Sequence, residues 1–447
     1  MKIASLTPWQ WIAALASAVL LGGLTGLFSL WTLLAVVALV SLYLFVRYPM
    51  VLLAACFACV VLGQFGRVPP GSASGTVLLL DGLAGLLCLV WFVMAIWKRW
   101  PFVISPAHLA WIAFLIVAGV LLLRNPFGLR LRDLAQDGFY LVRLIFYSSL
   151  AWSIPQLFGT QAKAERIYRW TVIAGLSITV LGFAQLFLFP DIGPLSKYGW
   201  DPHVGRLVSS FLDPNYLGGY FAIFLSLVLG RFVQEKGRFP IISVALVLIA
   251  TVLTYSRSGY LAVAIVALLY GLRYSWKLVV VGVVCIVPLA LSIPRVQQRV
   301  VGGFSIDKTS QDRIDSWSNA LAISDKYSVL GIGYNNYQPA QESLGLIRAG
   351  STSRSSGGSD SSLLNVVATT GYFGTALFLI TVLAILKHCL DLVRAGKRNV
   401  QSSVALSLLV MAPALFVHSF FVNATFYPFI LMTLSVLVGL TYVRQDS

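Results

Sequence analysis

Long apolar segments fill most of this 447-residue chain. A helix needs about 20 mainly apolar residues to cross a bilayer. Only 11% of the residues are charged, whereas soluble domains contain about 25%. We therefore predict an all-α, polytopic integral membrane protein, a single membrane domain over 1–447 with about fourteen transmembrane helices. The predicted spans are 9–26, 28–46, 49–65, 76–97, 104–123, 136–157, 168–189, 215–232, 239–255, 258–273, 277–294, 361–386, 402–422 and 425–443.

Lysine and arginine are distributed unevenly between the connecting loops, which predicts the orientation of the chain. Cytoplasmic loops of membrane proteins are enriched in both residues. If the N-terminus is cytoplasmic, every predicted inner loop is basic and 17 of the 32 basic residues fall inside. We therefore expect both termini in the cytoplasm. The net charge of +16 is then explained by topology, and it does not indicate nucleic-acid binding.

The remaining fifteen basic residues, on the outer side or within helices, are 12 arginines and 3 lysines. Positive charge on the outer side opposes the insertion bias, so these arginines require another reason. A guanidinium binds phosphate or carboxylate oxygens through two parallel hydrogen bonds and is less hydrated than an ammonium group. The pattern predicts a ligand that carries phosphate.

One long outer loop, residues 295–360, separates two of the predicted spans. In its helical segment, Arg313 and Trp317 are four residues apart and share a face. A turn-rich aromatic segment comes next, Gly331-Ile332-Gly333-Tyr334-Asn335-Asn336-Tyr337. Arg313, Trp317 and Tyr337 are therefore candidates for binding a substrate at the outer surface.

Two further arginines lie next to predicted helix starts. Asp213 and Pro214 have the residue types of an N-cap and a first helical position, but Arg206 before them has no such structural role. Arg257, in Ser256-Arg257-Ser258-Gly259, lies between two apolar runs. Its side chain would extend either to the membrane surface or into a cavity, and the sequence leaves both open.

Arg143 lies within a predicted span, where a charge costs about 2.5–3.5 kcal/mol on insertion scales. Such residues usually face a cavity or an ionic partner, and Asp81 and Asp137 are candidate partners. The sequence leaves open whether Arg143 forms a structural ion pair or contacts a ligand.

Taken together, the outer segments resemble the O-antigen ligase and O-antigen polymerase superfamily of bacterial surface-polysaccharide assembly. The resemblance extends over residues 168–386, which we define as the ligase/polymerase-like core. The matching positions, in chain order, are Gly205, Arg206, Phe211, Pro214, Asn215, Ser256, Arg257, Ser258, Gly259, Arg313, Trp317, Ala320, Leu321, Gly331, Ile332, Gly333, Asn335, Tyr337, Leu364, Gly371 and Gly374.

The resemblance implies a glycosyltransferase that acts at the outer face of the bacterial inner membrane. Its donor would be a glycan on a polyprenyl (undecaprenyl) diphosphate, and its acceptor a glycan or another lipid-linked unit. Arg206 and Arg313 would bind the diphosphate, with Arg257 as a further candidate. No cofactor and no metal are expected. Membrane lipid and other polysaccharide-assembly proteins are the remaining candidate partners, and nucleic acid is not one.

The chain departs from the ligase pattern at one position. Ligases of this superfamily usually have His-Asn eleven residues before the glycine at Gly371, where this chain has Asp360-Ser361. Asp360 could take the proton from an acceptor hydroxyl, or it could cap the helix that begins there. The missing histidine favours a polymerase over a ligase that transfers to lipid A-core. His203, in another outer loop, is expected to be an ordinary loop residue.

A transporter or flippase for an anionic lipid or solute is the rival class of function. The helix number and Arg143 within the membrane favour it. Against it, the chain has no convincing internal repeat, and its notable polar residues gather on one side. The five cysteines lie in or beside apolar runs, so we expect neither a disulfide nor a metal site from them.

Overall fold

The computed structural model describes residues 42–68, 77–100, 104–235, 240–274, 294–301, 308–348 and 357–444, with isolated positions 17, 40, 276, 280 and 350. Most of these residues are helical. The helices are α1 Pro49–Leu62, α2 Leu79–Trp97, α3 Pro106–Leu123, α4 Leu131–Ser148, α5 Leu150–Leu157, α6 Gln161–Leu188, α7 Pro214–Glu235, α8 Ile241–Thr254, α9 Arg257–Tyr274, α10 Pro294–Val301, α11 Lys308–Lys326, α12 Tyr337–Ser343, α13 Ser362–Arg394, α14 Val400–Phe421 and α15 Pro428–Thr441.

Short elements complete the described part of the chain. Three 3₁₀ segments cover Gly63–Gly66, Gly193–Tyr198 and Ser209–Phe211. A two-residue antiparallel pairing joins β1 Arg67–Val68 to β2 Val77–Leu78. By contacts, residues 1–54 and 55–447 form two compact units. In the first unit, residues 42–47 are helical, and the helices from α2 to α15 all belong to the second.

Seven helical segments in the described residues are long and apolar enough to cross a membrane, and two shorter apolar helices, α8 and α15, accompany them. The all-α membrane class is therefore confirmed. The predicted span at 136–157 is divided between α4 and α5, which meet at Ser149. Apart from a few single positions, the predicted spans 9–26 and 277–294 and most of 28–46 lie outside the described residues, so the total of about fourteen stays a prediction.

Two ends of the helical bundle can be distinguished by their contacts. At the start of α6, Gln161 donates to the carbonyl of Arg444 at 3.2 Å, and Glu165 forms an ion pair with Arg231 at 2.8 Å. At the other end of this 28-residue helix, about 42 Å away, Gln185 accepts from the backbone N–H of Val208 at 2.9 Å. We name the end at Gln161 the basic end and the end at Gln185 the loop end.

Helix α7 is buried along most of its length and packs between α9 and α14. A Cβ built on Gly218 of α7 would lie 2.8 Å from the Cα of Gly259 in α9. Near the basic end, a Cβ on Gly230 would meet Ser407 of α14 and Tyr270 of α9. Small residues allow membrane helices to approach closely, and here they bring the start of α9 beside the start of α7.

Helix α13 is interrupted at Gly371, where φ is 63° and ψ is −172°. The Gly331-Ile332-Gly333 segment packs against this break. The N–H groups of Ile332 and Gly333 donate to the carbonyls of Ala368 and Thr369 at 3.0 and 2.9 Å. Backbone groups freed at a helix break must be satisfied inside a membrane protein, and this glycine segment satisfies two of them.

Candidate active site

Arg206 is held at the loop end by the last carbonyls of α8. Its Nε donates to the carbonyl of Thr254 at 2.8 Å, and its Nη2 donates to that of Tyr255 at 3.3 Å. The side chain is 9% exposed. A cation is favoured near a helix C-terminus, where the carbonyls carry partial negative charge. The sequence indicated no structural role for Arg206, but these contacts give it one at the end of α8, and they hold the guanidinium at the edge of a cavity.

Arg257 is the first residue of α9 and lies beside the start of α7. The hydroxyl of Ser256 donates to Oδ1 of Asn215 at 3.0 Å, which joins the two helix starts. The Nη2 of Arg257 donates to Ser310 at 3.3 Å. The side chain is half-buried and lines a cavity, so of the two orientations left open by the sequence the structure shows the cavity-facing one.

Asp213 caps α7, as expected from the sequence. Its carboxylate accepts from the backbone N–H of Asn215 at 2.7 Å and of Tyr216 at 3.4 Å, and Pro214 is the first helical residue. The carbonyl of Asn215 also lies 3.1 Å from Nε2 of His418, a buried residue of α14. The chain from Asp213 to Tyr216 is therefore fixed at the loop end.

Arg313 and Trp317 lie on α11 and contact the end of α14. The indole N–H of Trp317 donates to the carbonyl of Phe420 at 3.0 Å, and its ring centroid is 5.8 Å from that of Phe421. The guanidinium of Arg313 lies 5.9 Å from the Phe421 ring centroid. Trp317 thus attaches α11 to α14, while Arg313 lines two cavities.

Asp360 precedes α13 but does not cap it. The cap is Ser361, whose side chain accepts from the N–H of Leu364 at 3.4 Å. Of the two roles that the sequence left open for Asp360, the helix cap is taken by Ser361 instead, because the chain enters the helix one residue later. The backbone N–H of Asp360 donates to Ser316 of α11 at 3.0 Å. Its half-buried side chain lines the same cavity as Arg313.

Three adjoining cavities lie at the loop end. The first, of about 470 Å³, is lined by Arg206, Arg257, Arg295 and Arg313, and we name it the arginine cavity. The second, of about 240 Å³, is lined by Arg313 and Asp360 and is named the central cavity. The third, also about 240 Å³, is lined by seven aromatic residues and is named the aromatic cavity.

The cavities are arranged in a fixed order. Asn215, Asp312 and Arg313 line both the arginine cavity and the central cavity. Tyr216, Gly357 and Asn423 line both the central cavity and the aromatic cavity. No described residue lines both the arginine and the aromatic cavities. The central cavity therefore lies between the other two.

Two predicted binding residues line the aromatic cavity. Tyr337 is 1% exposed, and its hydroxyl donates to the carbonyl of Ser316 at 3.4 Å. Burial raises the pKa of Tyr337, so the phenol stays protonated and acts as a donor. Arg143 forms an ion pair with Asp81, with Nη2–Oδ2 at 2.7 Å and Nε–Oδ1 at 2.8 Å.

Asp81, one of the two candidate partners, is thus the one that pairs with Arg143. The hydroxyl of Tyr147 donates to the same carboxylate, and so does the backbone N–H of Leu78 at 2.8 Å. Asp137 instead accepts from Asn335 at 2.7 Å. Structural ion pairing therefore accounts for Arg143, although its side chain also borders the aromatic cavity.

Sequence reasoning missed several residues of these cavities. In the sequence, Arg295 is only one of several loop arginines. Its guanidinium donates to the carbonyls of Gly205 and Val204 at 3.1 and 2.8 Å and lies 4.6 Å from the Tyr255 ring centroid. Its place at the start of the arginine-containing loop was the available signal, but only the fold brings it beside Gly205 and Arg206.

A group of residues capable of holding a cation lies at the arginine cavity. Ligand atoms of Asp201, His203 and Asp213 all fall within 4.8 Å of one another. Nothing in the sequence indicated this group, because the spacing of its residues matches no common ligand pattern. The Asp213 carboxylate already accepts hydrogen bonds from the start of α7. The expectation that the protein uses no metal stays a prediction.

Comparison with known protein families supports the resemblance inferred from the sequence. Residues 242–379 match the family model described as O-antigen ligase. The resemblance is confirmed. No curated protein sequence matches the chain. The match supports an O-antigen ligase or polymerase type of function in a bacterial inner-membrane protein.

The O-antigen ligase match covers part of the wall of each cavity. It includes Arg257, Arg313, Trp317, Tyr337 and Asp360. Arg206 and Arg143 lie outside it. Arg206 nevertheless contacts the matched region directly, through the carbonyls at the end of α8.

Proposed function

We propose that this chain is a membrane glycosyltransferase that transfers a glycan from polyprenyl diphosphate to an acceptor sugar. In this proposal it polymerises repeat units of O-antigen or exopolysaccharide. One observation carries the proposal: Arg313 and Asp360 line the same central cavity, which adjoins the arginine cavity. In the transfer, the diphosphate leaves and the acceptor hydroxyl attacks at the same sugar carbon. Arg313 would stabilise the leaving diphosphate, and Asp360 would accept the proton of the hydroxyl.

The arginine cavity would hold the donor diphosphate. Four arginines line it, against two aspartates. Bidentate guanidinium contacts fit phosphate oxygens, and fixed positive charge stabilises the negative charge that develops as the leaving group departs. Arg206 and Arg313 are the main proposed ligands, and Arg257 is a further one. In this arrangement the arginines supply the charge that a metal ion would otherwise provide.

Asp360 would act as the general base. Its carboxylate takes the proton from the acceptor hydroxyl, whose oxygen attacks the anomeric carbon of the donor sugar. The bond from that carbon to the diphosphate oxygen breaks, and the polyprenyl diphosphate leaves. A direct displacement of this kind inverts the anomeric centre, with base and leaving group on opposite faces of the sugar.

Polymerisation is preferred to ligation because Asp360-Ser361 stands where ligases usually have His-Asn. The alternative within the class is transfer to lipid A-core or to a protein hydroxyl. The O-antigen ligase match covers both branches of the superfamily, so the acceptor has to be found by experiment. A transporter has less support, because Arg143 is accounted for by its ion pair with Asp81.

We further propose that the loop end faces the periplasm and that both termini are cytoplasmic. This is supported by the basic end, where residues from three of the predicted inner loops meet. Arg444 lies just beyond α15 and contacts Gln161, and Gln234 donates to the carbonyl of Lys397 at 3.1 Å. Positive residues are retained on the cytoplasmic side during insertion.

The decisive experiment uses purified protein with the lipid-linked glycan extracted from cells that lack this protein. Longer lipid-linked products, separated on a gel, support a polymerase. Products that form only after lipid A-core is added support a ligase. Movement of labelled lipid across protein-containing vesicles without any glycan transfer would overturn the proposal in favour of a transporter.

A further inference from the structure

The aromatic cavity differs in chemistry from the two cavities beside it. Seven aromatic residues and three asparagines line it, with Arg143 as the one ionised residue among the described lining. Arg143 is already paired with Asp81. The cavity therefore offers flat apolar surfaces and amide groups, and little net charge.

This combination fits a sugar ring. The C–H faces of a pyranose pack against aromatic rings, and its hydroxyls form hydrogen bonds with amides. A diphosphate would lack unpaired positive charge there. A polyprenyl chain would leave the buried Oδ1 of Asn423 without a hydrogen bond, which costs free energy. A neutral or weakly charged glycan is the ligand class that satisfies both the aromatic and the amide surfaces.

The side chain of Asn423 also favours a glycan as the ligand. Its Oδ1 is buried and has no hydrogen-bond partner among the described residues. Buried polar atoms are nearly always hydrogen-bonded in native structures. Asn423 lines both the central and the aromatic cavities. A sugar hydroxyl at this junction would donate to that oxygen.

A rigid wall supports the junction. The rings of Tyr216 and Tyr427 are stacked, with centroids 4.0 Å apart and an interplanar angle of 8°. The Tyr427 hydroxyl donates to the carbonyl of Phe211 at 3.2 Å and accepts from Gln64 at 2.7 Å. A binding surface held in this way loses little entropy when a ligand binds.

We infer that the aromatic cavity is the acceptor-sugar subsite. This inference rests on the proposed function, which places the donor diphosphate in the arginine cavity. Each of the two cavities adjoins the central cavity, where Asp360 is found, and the two share no described lining residue. An inverting displacement requires the attacking hydroxyl and the leaving group on opposite faces of the donor sugar. Separate cavities for the acceptor and the diphosphate, each adjoining the central cavity, agree with that requirement.

The test measures binding of the acceptor without the donor. The probe is the fluorescently labelled glycan released by mild acid from the extracted lipid-linked unit, so that it carries no diphosphate. Asn423→Ala and Tyr140→Leu change two residues of the aromatic cavity. Asn319→Ala and Tyr198→Leu are matched controls, since neither residue lines any of the three cavities.

Both cavity variants should weaken glycan binding at least about tenfold, the effect of roughly 1.4 kcal/mol of lost contacts, and the controls should bind as wild type does. In transfer assays the acceptor KM should rise while the donor KM stays unchanged. Arg206→Lys should leave glycan binding intact.

Unchanged glycan binding in both cavity variants would overturn the inference, and so would the absence of binding to the wild-type protein. Glycan binding that is lost in Arg206→Lys instead would place the acceptor in the arginine cavity. Each of these results is compatible with efficient glycan transfer. Failure of the proposed function is distinct, because no glycan product would then form with any acceptor.

Discussion

Gly331 and Gly371 approach so closely that a Cβ built on Gly331 would lie 2.5 Å from the backbone nitrogen of Gly371. Both have positive φ values, 66° and 63°. The N–H groups of Tyr372 and Phe373 donate to the carbonyls of Ser328 and Val329 at 2.8 and 3.3 Å. The loop before α12 and the break in α13 therefore support each other through backbone contacts.

Gly331→Ala should destabilise the protein more than its φ value alone explains. A left-handed conformation costs a non-glycine residue roughly 1–2 kcal/mol, and the Cβ would also collide with backbone atoms. Gly345→Ala is the matched control, since Gly345 has a φ of 68° and a Cβ added to it would meet no atom within 4 Å. Thermal unfolding in detergent should show a clearly lower midpoint for Gly331→Ala. Equal midpoints would contradict the close approach.

Asp360→Asn should reduce glycan transfer by about 10²- to 10⁴-fold, the usual contribution of a general base. Ser361→Ala removes the neighbouring cap and should cost about 1 kcal/mol of stability with little loss of turnover by the folded protein. The two effects separate when initial rates and thermal unfolding are measured on the same preparations. An Asp360→Asn variant with normal turnover would exclude the carboxylate as the base.

Arg206→Lys and Arg313→Lys should each lower kcat/KM for the lipid-linked donor by about 10²-fold. A lysine keeps the positive charge but loses the bidentate geometry, and removal of one donor to developing charge has effects of this size. Arg132→Lys is the control, because Arg132 is exposed on α4 and lines none of the three cavities. Steady-state kinetics with varied donor concentration measure the difference. If the control and the cavity variants behave alike, the diphosphate is bound elsewhere.

Asp81→Ala should destabilise the protein by about 3–5 kcal/mol, because it leaves the buried Arg143 without its carboxylate partner. The side chains of Asp81 and Arg143 are 3% and 12% exposed. The double variant Asp81→Leu with Arg143→Met should recover much of the loss, since paired removal leaves no uncompensated charge. Unfolding midpoints of the single and double variants provide the comparison. An Asp81→Ala variant as stable as wild type would show that the pair has no structural role.

Treatment with EDTA should leave glycan transfer unchanged. Four arginines line the arginine cavity, and their fixed charge can stabilise a leaving diphosphate. Asp201, His203 and Asp213 could hold a metal ion, so EDTA tests directly whether transfer depends on a metal at that group. Loss of transfer with EDTA, restored by Mg²⁺ or Mn²⁺ in wild type but not in Asp201→Asn, would instead assign a metal to that group.

Local features of the fold could be predicted from the sequence. Hydrophobic runs of about 20 residues have few folded alternatives to a helix in lipid, so most helices in the described part of the chain coincide with a predicted span. The start of α7 was also predictable from neighbouring residues. Asp213 accepts hydrogen bonds from free N–H groups of the first turn, and Pro214 has no N–H group that needs a partner. Such features depend on neighbours in sequence.

Contacts between distant segments were less predictable. Arg143 pairs with Asp81 across 62 positions, and the sequence offered Asp137 equally. Trp317 and Tyr337 were predicted to bind substrate, and both make structural contacts that a sequence does not reveal. The structure does bring Arg206, Arg257 and Arg313 to one cavity. Their role in binding diphosphate stays a prediction, since geometry alone does not identify a ligand.

The backbone contacts around Gly331 and Gly371 also bound the stretch of the loop in which residues can be inserted. Backbone bonds fix residues 328–333 against residues 368–373, and Asp360 is fixed to α11 through Ser316. The exposed turn at Gly345 lies between these fixed points. An epitope inserted after Gly345 would lie between these fixed points, and antibody access in intact spheroplasts would report which side of the membrane the loop occupies.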